Sequence, residues 1–368
     1  MIGYLAAKAR WTDMVCSTWR EFRMEVKAPN EISKEYYQFV DEFTQTSFEN
    51  EKILGKFYTD VGIATSMMQI LCQHYVCNTF SSELRIIDPF CGDGRLIISL
   101  LSELLEKQQL RFTKLFISIW DVDEVAVSKA KYTIIKFCKQ HNLKCEIDAC
   151  QADAFVKYAT VQKKYDICVT NPPWSILKPQ KIFNKNNDQD DMMEYRSVIE
   201  QYDSYMKDAF AISQPSSKFG KWGTNLARCG VEVALRLIKH DGYCGLVSPA
   251  SLLNDQVSNR IRKWIFENYK IINISYYPAE LKLYGTADIS SITMVIKGGE
   301  TDQDLCVKIY NDKNNYKRKN IEKATFEYIK RKEYSIPLKT GIEAIPIMMK
   351  FEQMSSTEEF CNARGLRF

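Results

Sequence analysis

Between residues 53 and 299 the sequence alternates short apolar runs with amphipathic stretches, and this alternation most constrains the fold. Apolar runs at 84–88, 115–120, 144–149, 165–169, 243–247, 271–276 and 291–296 have the length of strands. Helical spacing fills 61–79, 94–108, 124–140, 226–240 and 250–268. Strand and helix in turn imply a largely parallel sheet covered on both faces. Residues 175–222 interrupt the pattern with a polar segment too long for a passive connection. Before the alternation, Trp11, Met14, Val15, Trp19 and Phe22, and then Ile32, Tyr36, Phe39, Val40 and Phe43, recur at helical spacing on either side of Pro29, so 1–52 is expected to form a helical cap. After it, residues 300–368 open with a strand-like run at 305–310 and become basic.

Composition excludes several classes. The chain has 368 residues, 45% hydrophobic and 26% charged, the balance of a globular protein with a sizeable core. No internal period suggests a repeat array, and no run of about 18 apolar residues suggests a membrane helix. Lys8 and Arg10 break the N-terminal apolar stretch too early for a signal peptide. The 12 cysteines form no C-x-x-C pair, which fits reduced, buried thiols in a cytoplasmic protein. Cys72, His74 and Cys77 lack a fourth ligand, so no metal is expected. A net charge of +4 permits a nucleic-acid partner without arguing for one.

Four motifs follow the first four strands. Asp88-Pro89-Phe-Cys-Gly92-Asp-Gly94-Arg95 leaves a strand and opens a helix, where glycines allow a ligand close to the backbone. By itself it also reads as a structural strand–helix turn. Asp121 ends the next strand, where a carboxylate can bond a ribose diol; Asp123 reads as a helix cap. After the third strand, Asp153 can accept a bond from an adenine amino group and Phe155 can pack on the ring, although a loop acid and a core aromatic would look the same.

The fourth motif, Asn171-Pro172-Pro173-Trp174, decides between these readings. With proline near 5% of residues, it arises by chance in about one chain in several hundred. An exocyclic base amine is a weak nucleophile because its lone pair is delocalised into the ring. The Asn171 side-chain oxygen and the Pro172 carbonyl can each accept an amine hydrogen and draw the nitrogen toward tetrahedral geometry. Prolines fix the backbone that aims these acceptors, and Trp174 offers a face to an extruded base.

On these motifs the chain resembles the gamma-group adenine-N6 DNA methyltransferases of restriction–modification systems, in particular type I modification subunits and type IIG enzymes. Leu54-Gly55-Lys56-Phe57-Tyr58-Thr59, ahead of the glycine motif, is similar to the family's N-terminal cofactor motif. Trp222-Gly-Thr-Asn225 and Gly242-Tyr-Cys-Gly-Leu-Val-Ser-Pro249 also resemble these enzymes. The likeness covers about 53–299. Asp60 stands where the family usually has Pro, and Trp174 where Tyr or Phe is commoner.

The resemblance implies a Rossmann-like class I S-adenosylmethionine-dependent methyltransferase fold: a seven-stranded, mostly parallel sheet with helices on both faces. It implies methyl transfer from S-adenosyl-L-methionine to adenine N6 in double-stranded DNA. Phe57, Tyr58, Thr59, Asp88, Pro89, Gly92, Gly94, Asp121, Asp153 and Phe155 are expected to bind the cofactor, and Asn171, Pro172, Pro173 and Trp174 to act in catalysis. Residues 53–299 would be the catalytic domain, with 175–222 over the target base. Two rivals share these motifs, a methyltransferase for an RNA base or protein glutamine and a non-catalytic scaffold subunit. Between Lys308 and Lys332, nine Lys/Arg stand against three Asp/Glu with tyrosines interleaved, as either a phosphate-tracking surface or a solvated face. The 69 residues after the last expected strand are few for reading several base pairs, so a specificity subunit or further target-recognition sequence is expected.

Overall fold

The computed structural model describes residues 27–44, 46–75, 83–110, 114–178, 189–215, 223–284, 288–299, 305–339 and 341–352, with 354, 363 and 364. The expected helix around Trp11–Phe22, and Cys77, 184–188 and Trp222, lie outside these residues.

A mixed sheet organises the chain. Its strands are β1 (Glu83–Asp88), β2 (Lys114–Asp121), β3 (Cys145–Gln151), β4 (Tyr165–Thr170), β5 (Ile238–Pro249), β6 (Tyr269–Tyr277), β7 (Ser291–Gly298), β8 (Cys306–Tyr310) and β9 (Tyr316–Asn320), in the order β3-β2-β1-β4-β5-β7-β6-β8-β9. The first five pair in parallel; β7 runs antiparallel between β5 and β6. The sheet therefore has nine strands where seven were expected. β8 pairs in parallel with β6, and β9 returns antiparallel along β8. The apolar alternation of β8 was legible, but β9 (Tyr-Lys-Arg-Lys-Asn) is mostly exposed and carries no burial pattern.

Twelve α-helices complete the described chain: α1 (Pro29–Phe43), α2 (Ser47–Leu54), α3 (Val61–His74), α4 (Arg95–Glu106), α5 (Glu124–Gln140), α6 (Ala154–Lys157), α7 (Gln189–Ala209), α8 (Leu226–Leu237), α9 (Ser251–Asn254), α10 (Asn259–Asn268), α11 (Lys323–Arg331) and α12 (Ile345–Glu352). On one face of the sheet α3, α4 and α5 bury Met67, Met68, Leu71, Leu100, Leu104 and Ile134. On the other, α8 and α10 bury Val233, Leu237, Ile261 and Ile265. The single expected helix at 250–268 is two, α9 and α10, separated by a turn in which the Asp255 side chain accepts from Ser258 N at 2.7 Å.

Two further helices pack together on the α8 side. α7, within the interrupting segment, buries Tyr195, Ile199, Tyr202 and Met206, a single stripe at helical spacing. That stripe meets α1, with Tyr202 stacked on Tyr36 at 4.7 Å and Tyr195 on Phe39 at 5.0 Å. The order reverses between β1 and β4, so a crevice opens at the carboxyl ends of the central strands, the usual ligand position in such sheets.

Candidate active site

The carboxyl ends of β1, β2, β3 and β4 bring all four motifs to one edge. Asp88 and Asp121 end their strands, and Asp153 and Asn171 follow within two residues of theirs. They border a cavity with about 830 Å³ of space between atoms, counting its open mouth. Phe57, Tyr58, Thr59, Asp88, Pro89, Gly92, Asp121, Asp153, Asn171 and Pro173 line it among the expected residues. Gly94, Phe155, Pro172 and Trp174 do not.

Two chain segments 114 residues apart are laced together here. α2 ends in Gly55, whose φ of 69° is left-handed. Its carbonyl accepts from Trp174 N at 2.9 Å. Two residues on, the Phe57 carbonyl accepts from Asn171 Nδ2 at 2.6 Å. The bond settles the amide's orientation: the nitrogen faces Phe57 and Oδ1 faces the other way. That Oδ1 is buried and has no partner. A buried acceptor left open costs about 1–3 kcal/mol, so it marks a place meant for a donor.

The acid side of the cavity is equally specific. Asp88 is 1% exposed; its Oδ1 accepts from Thr170 Oγ1 at 2.8 Å and from Phe90 N at 3.1 Å, while Oδ2 has no partner. Burial pushes its carboxyl up to about 7, against the pull of those two bonds. Asp121 Oδ2 accepts from Gly92 N at 2.9 Å and Oδ1 from Asp123 N at 3.1 Å, so it also ties the glycine turn to β2. Burial raises its pKa too. Asp123 caps α5 through Val125 N and Ala126 N, as expected, and pairs with Lys56 at 3.1 Å. Burial works against its charge, but Lys56 and the helix N–H groups prevail and hold the carboxyl below its ordinary value.

Asp153 is held by partners from outside the alternating core. Ser33 of α1 and Tyr202 of α7 both donate to Oδ2 at 2.7 Å, and Phe155 N donates to Oδ1 at 2.8 Å. Burial raises its pKa, and these bonds oppose the rise.

Several expected roles change. Phe155 does not reach the cavity: it is fully buried between Phe90 and Phe210, and Phe90 forms the wall instead. Gly94 is the left-handed N-cap of α4, where a Cβ would lie 3.1 Å from Ala130, so it serves helix packing. Pro172 is buried against Gly230. Trp174 sits beside the cavity, its ring packed on Phe57 at 5.2 Å and edge-to-face with Tyr284 at 4.7 Å. Asp60, the departure from the family pattern, caps α3 through Gly62 N at 2.9 Å and faces Lys313 at 3.4 Å. Its charge is thereby directed to the helix N-terminus and a cation.

Sequence reasoning missed other lining residues. Arg95 pairs with Asp93 at 2.7 Å, donates to the Thr59 carbonyl at 2.7 Å and lies 5.0 Å over the Tyr58 ring. It stood inside the glycine motif and could have been singled out. Tyr37 and Lys56 also line the cavity. For Tyr37 and Ser33 no local signal existed, because Asp153 lies more than 100 residues away in sequence. Among the described residues no group of three or more His, Cys, Asp or Glu side chains could hold a metal, and no helix is long and apolar enough to cross a membrane.

The cavity suits S-adenosylmethionine, whose sulfonium and ammonium groups are cationic. Asp88, Asp121 and Asp153 supply acidic walls, and the open Asp88 Oδ2 is an acceptor awaiting a donor.

Comparison with known proteins agrees with this picture. A family model described as Eco57I restriction-modification methylase matches residues 95–284. The type II methyltransferase M.VspI of Vibrio sp. (strain 343) is 28% identical over 141 residues, 38% of this chain and 30% of that protein. Among solved structures, the cryoEM structure of a DrdV–DNA complex superposes over 81% of this chain and 33% of its own (TM-score 0.51, 13% identity). The type IIG restriction endonuclease BpuSI superposes over 76% and 29% (TM-score 0.50, 16% identity). The matched region thus spans about a third of each of these proteins, and at such identities the structures establish the shared methyltransferase fold alone.

Proposed function

We propose a function from one premise: the chain belongs to the Eco57I restriction-modification methylase family. It is an S-adenosylmethionine-dependent DNA methyltransferase that modifies the N6 amino group of adenine, as part of a restriction–modification system. The observation that carries this reading is the Asn171 amide, fixed by the Phe57 carbonyl with its oxygen buried and unpartnered at the cavity.

S-adenosylmethionine would supply a methyl group on a positive sulfur: the amine nitrogen forms the new N–C bond as the S–C bond breaks, the neutral thioether S-adenosylhomocysteine leaves, and one amine proton passes to solvent. Asp121 holds the ribose diol, Asp153 the adenine amino group and Asp88 Oδ2 the ammonium. Asn171 Oδ1 accepts one hydrogen of the target amine and the Pro172 carbonyl the other. Both acceptors withdraw the nitrogen lone pair from the ring and aim it at the methyl group. Their advantage is preorganisation: Asn171 is already oriented before substrate arrives, so little reorganisation remains for the transition state. Trp174, Phe57 and Tyr284 form an aromatic cluster beside Asn171 on which an extruded base stacks.

The test is methyl transfer from labelled cofactor to DNA, RNA and protein in parallel, followed by nucleoside mass spectrometry. Label in N6-methyladenine of DNA is expected. Label in N4-methylcytosine would refute the base assignment, and label only in RNA or protein would refute the substrate class.

A further inference from the structure

The β8–β9 hairpin concentrates positive charge beside the cavity. Lys308, Lys313, Lys317, Arg318 and Lys319 fall within 15 residues, where the acid is Asp312. Asp312 is exposed but engaged within the turn, accepting from Asn314 N, Asn315 N and Asn315 Nδ2 at 2.8 Å each. Among the described residues Lys308, Lys317, Arg318 and Lys319 make no ion pair.

The register makes one face of this hairpin electrostatically unfavourable by itself. Lys308 stands directly opposite Arg318, and Tyr310 opposite Tyr316. Residues facing each other across an antiparallel pair share a face, with Cβ atoms about 5 Å apart, and like charges there repel. Lys308 finds partial relief over the Tyr316 ring at 4.5 Å; Tyr316 remains 44% exposed. Shielding a sheet edge from aggregation needs charge of either sign, not two cations facing each other without a counter-ion.

This face also lies next to the catalytic edge. Tyr310 OH meets Ser66 Oγ of α3 at 2.9 Å, and Lys313 in the hairpin turn meets Asp60, the cap of α3, at 3.4 Å. Asp60 directly follows Thr59 on the cavity wall. The turn therefore contacts the residue next to the cavity wall, and Lys308 and Arg318 stand two residues, or ~7 Å, beyond the Tyr310–Tyr316 pair that closes it.

We infer that the α3-side face of the β8–β9 hairpin, formed by Lys308, Tyr316 and Arg318 with Lys313 at its tip, binds the phosphodiester backbone of DNA flanking the target base. A phosphate between Lys308 and Arg318 converts a repulsive pair into two charge-assisted contacts. The inference rests on DNA being the substrate. It adds a sequence-independent anchor within this chain that holds the duplex while the base is presented to Asn171.

The experiment measures binding of a fluorescent 30-bp duplex to the full chain by anisotropy from 50 to 200 mM salt. In the double variant Lys308→Gln/Arg318→Gln, affinity at the lowest salt is expected to fall at least about fivefold. The log–log salt slope should become shallower by about 1–2, since each phosphate contact contributes ~0.9. The variant's Tm should be unchanged or higher, because it removes a like-charge pair. Lys317→Gln/Lys319→Gln, on the opposite face, should leave the slope near wild type. Equal slope changes in both variants would reduce the effect to net charge and overturn the assignment. A wild-type chain that methylates DNA, with an unaltered slope in Lys308→Gln/Arg318→Gln, would overturn the surface but not the function. A chain that neither binds nor methylates DNA would overturn both.

Discussion

Replacing Gly55 with alanine puts a methyl group where the next segment already runs. The added Cβ would lie 2.6 Å from the Trp174 carbonyl carbon and 2.7 Å from Trp174 N and Ser175 N. All three are backbone atoms, so no side chain can swing aside. Ordinary contact begins near 3.4 Å, and the segment at Trp174 must retreat by close to an ångström to reach it. The retreat strains or breaks the bond from Trp174 N to the Gly55 carbonyl. A non-glycine residue at φ 69° costs about 1–2 kcal/mol and the lost bond about 1–3 kcal/mol, giving local destabilisation of about 2–5 kcal/mol. The functional effect should exceed the effect on stability, because the same movement separates the Phe57 carbonyl from Asn171. Misplacement by about 1 Å at a reacting centre costs roughly 100-fold in rate. Steady-state methyl transfer should show kcat falling about 100-fold with a lowered Tm, while Gly62→Ala, whose Cβ meets only Asp60 Oδ1 at 3.2 Å, stays near wild type. A Gly55→Ala enzyme with kcat within a factor of three of wild type would show that the lacing does not position Asn171.

Asn171→Ala should abolish turnover and leave cofactor affinity nearly intact, and near-normal kcat would contradict the amine-acceptor role. Asp121→Ala should weaken cofactor binding by about 1–3 kcal/mol in calorimetry, the range for a hydrogen bond to a charged group. Asp88 predicts a pH dependence. Its folded pKa of about 7 exceeds the ordinary carboxylate value of 3.8, so the folded state holds the proton more tightly. Its contribution is fully present below about pH 4 and is lost as pH rises through 7; the charged form costs on the order of 4 kcal/mol. Asp88→Asn should remove that part of the decline in Tm from pH 5 to 8, and an unchanged profile would mean the carboxyl titrates normally.

The sheet was legible because its strands are apolar runs of the right length, set between helices whose polar and apolar faces alternate. Its motifs were legible because they sit at strand ends, where topology gathers them whatever the details of packing. β9 was not, since an edge strand facing solvent has no burial period to read. Phe155 and Phe90 were exchanged for a similar reason: both are aromatics next to their motifs' acids, and the burial of Phe155 against Phe210 is a tertiary contact that no local pattern carries. The roles of Ser33 and Tyr202 depend on helices docking from 120 and 49 residues away. Nothing in a local pattern encodes such a meeting, and the segment 175–222 read as a polar interruption although Tyr195, Ile199, Tyr202 and Met206 form a buried stripe within it.

That meeting has a thermodynamic corollary. In the role proposed for it, Asp153 is oriented to receive an adenine amine while α1 and α7 are seated, because both bonds to its Oδ2 come from them. Cofactor affinity is then scaled by the fraction of molecules in which the pair is docked. Reciprocity follows: bound cofactor should protect these two helices against opening by up to RT ln(1 + [L]/Kd), about 2.7 kcal/mol at a hundredfold excess over Kd. Backbone amides of 29–43 and 189–209 should therefore exchange with solvent more slowly once cofactor is bound, although both helices lie outside the strand–helix alternation that carries the binding motifs. A change anywhere on the α1–α7 contact, at Tyr36 or Phe39 for instance, would register as weakened cofactor affinity without touching the cavity.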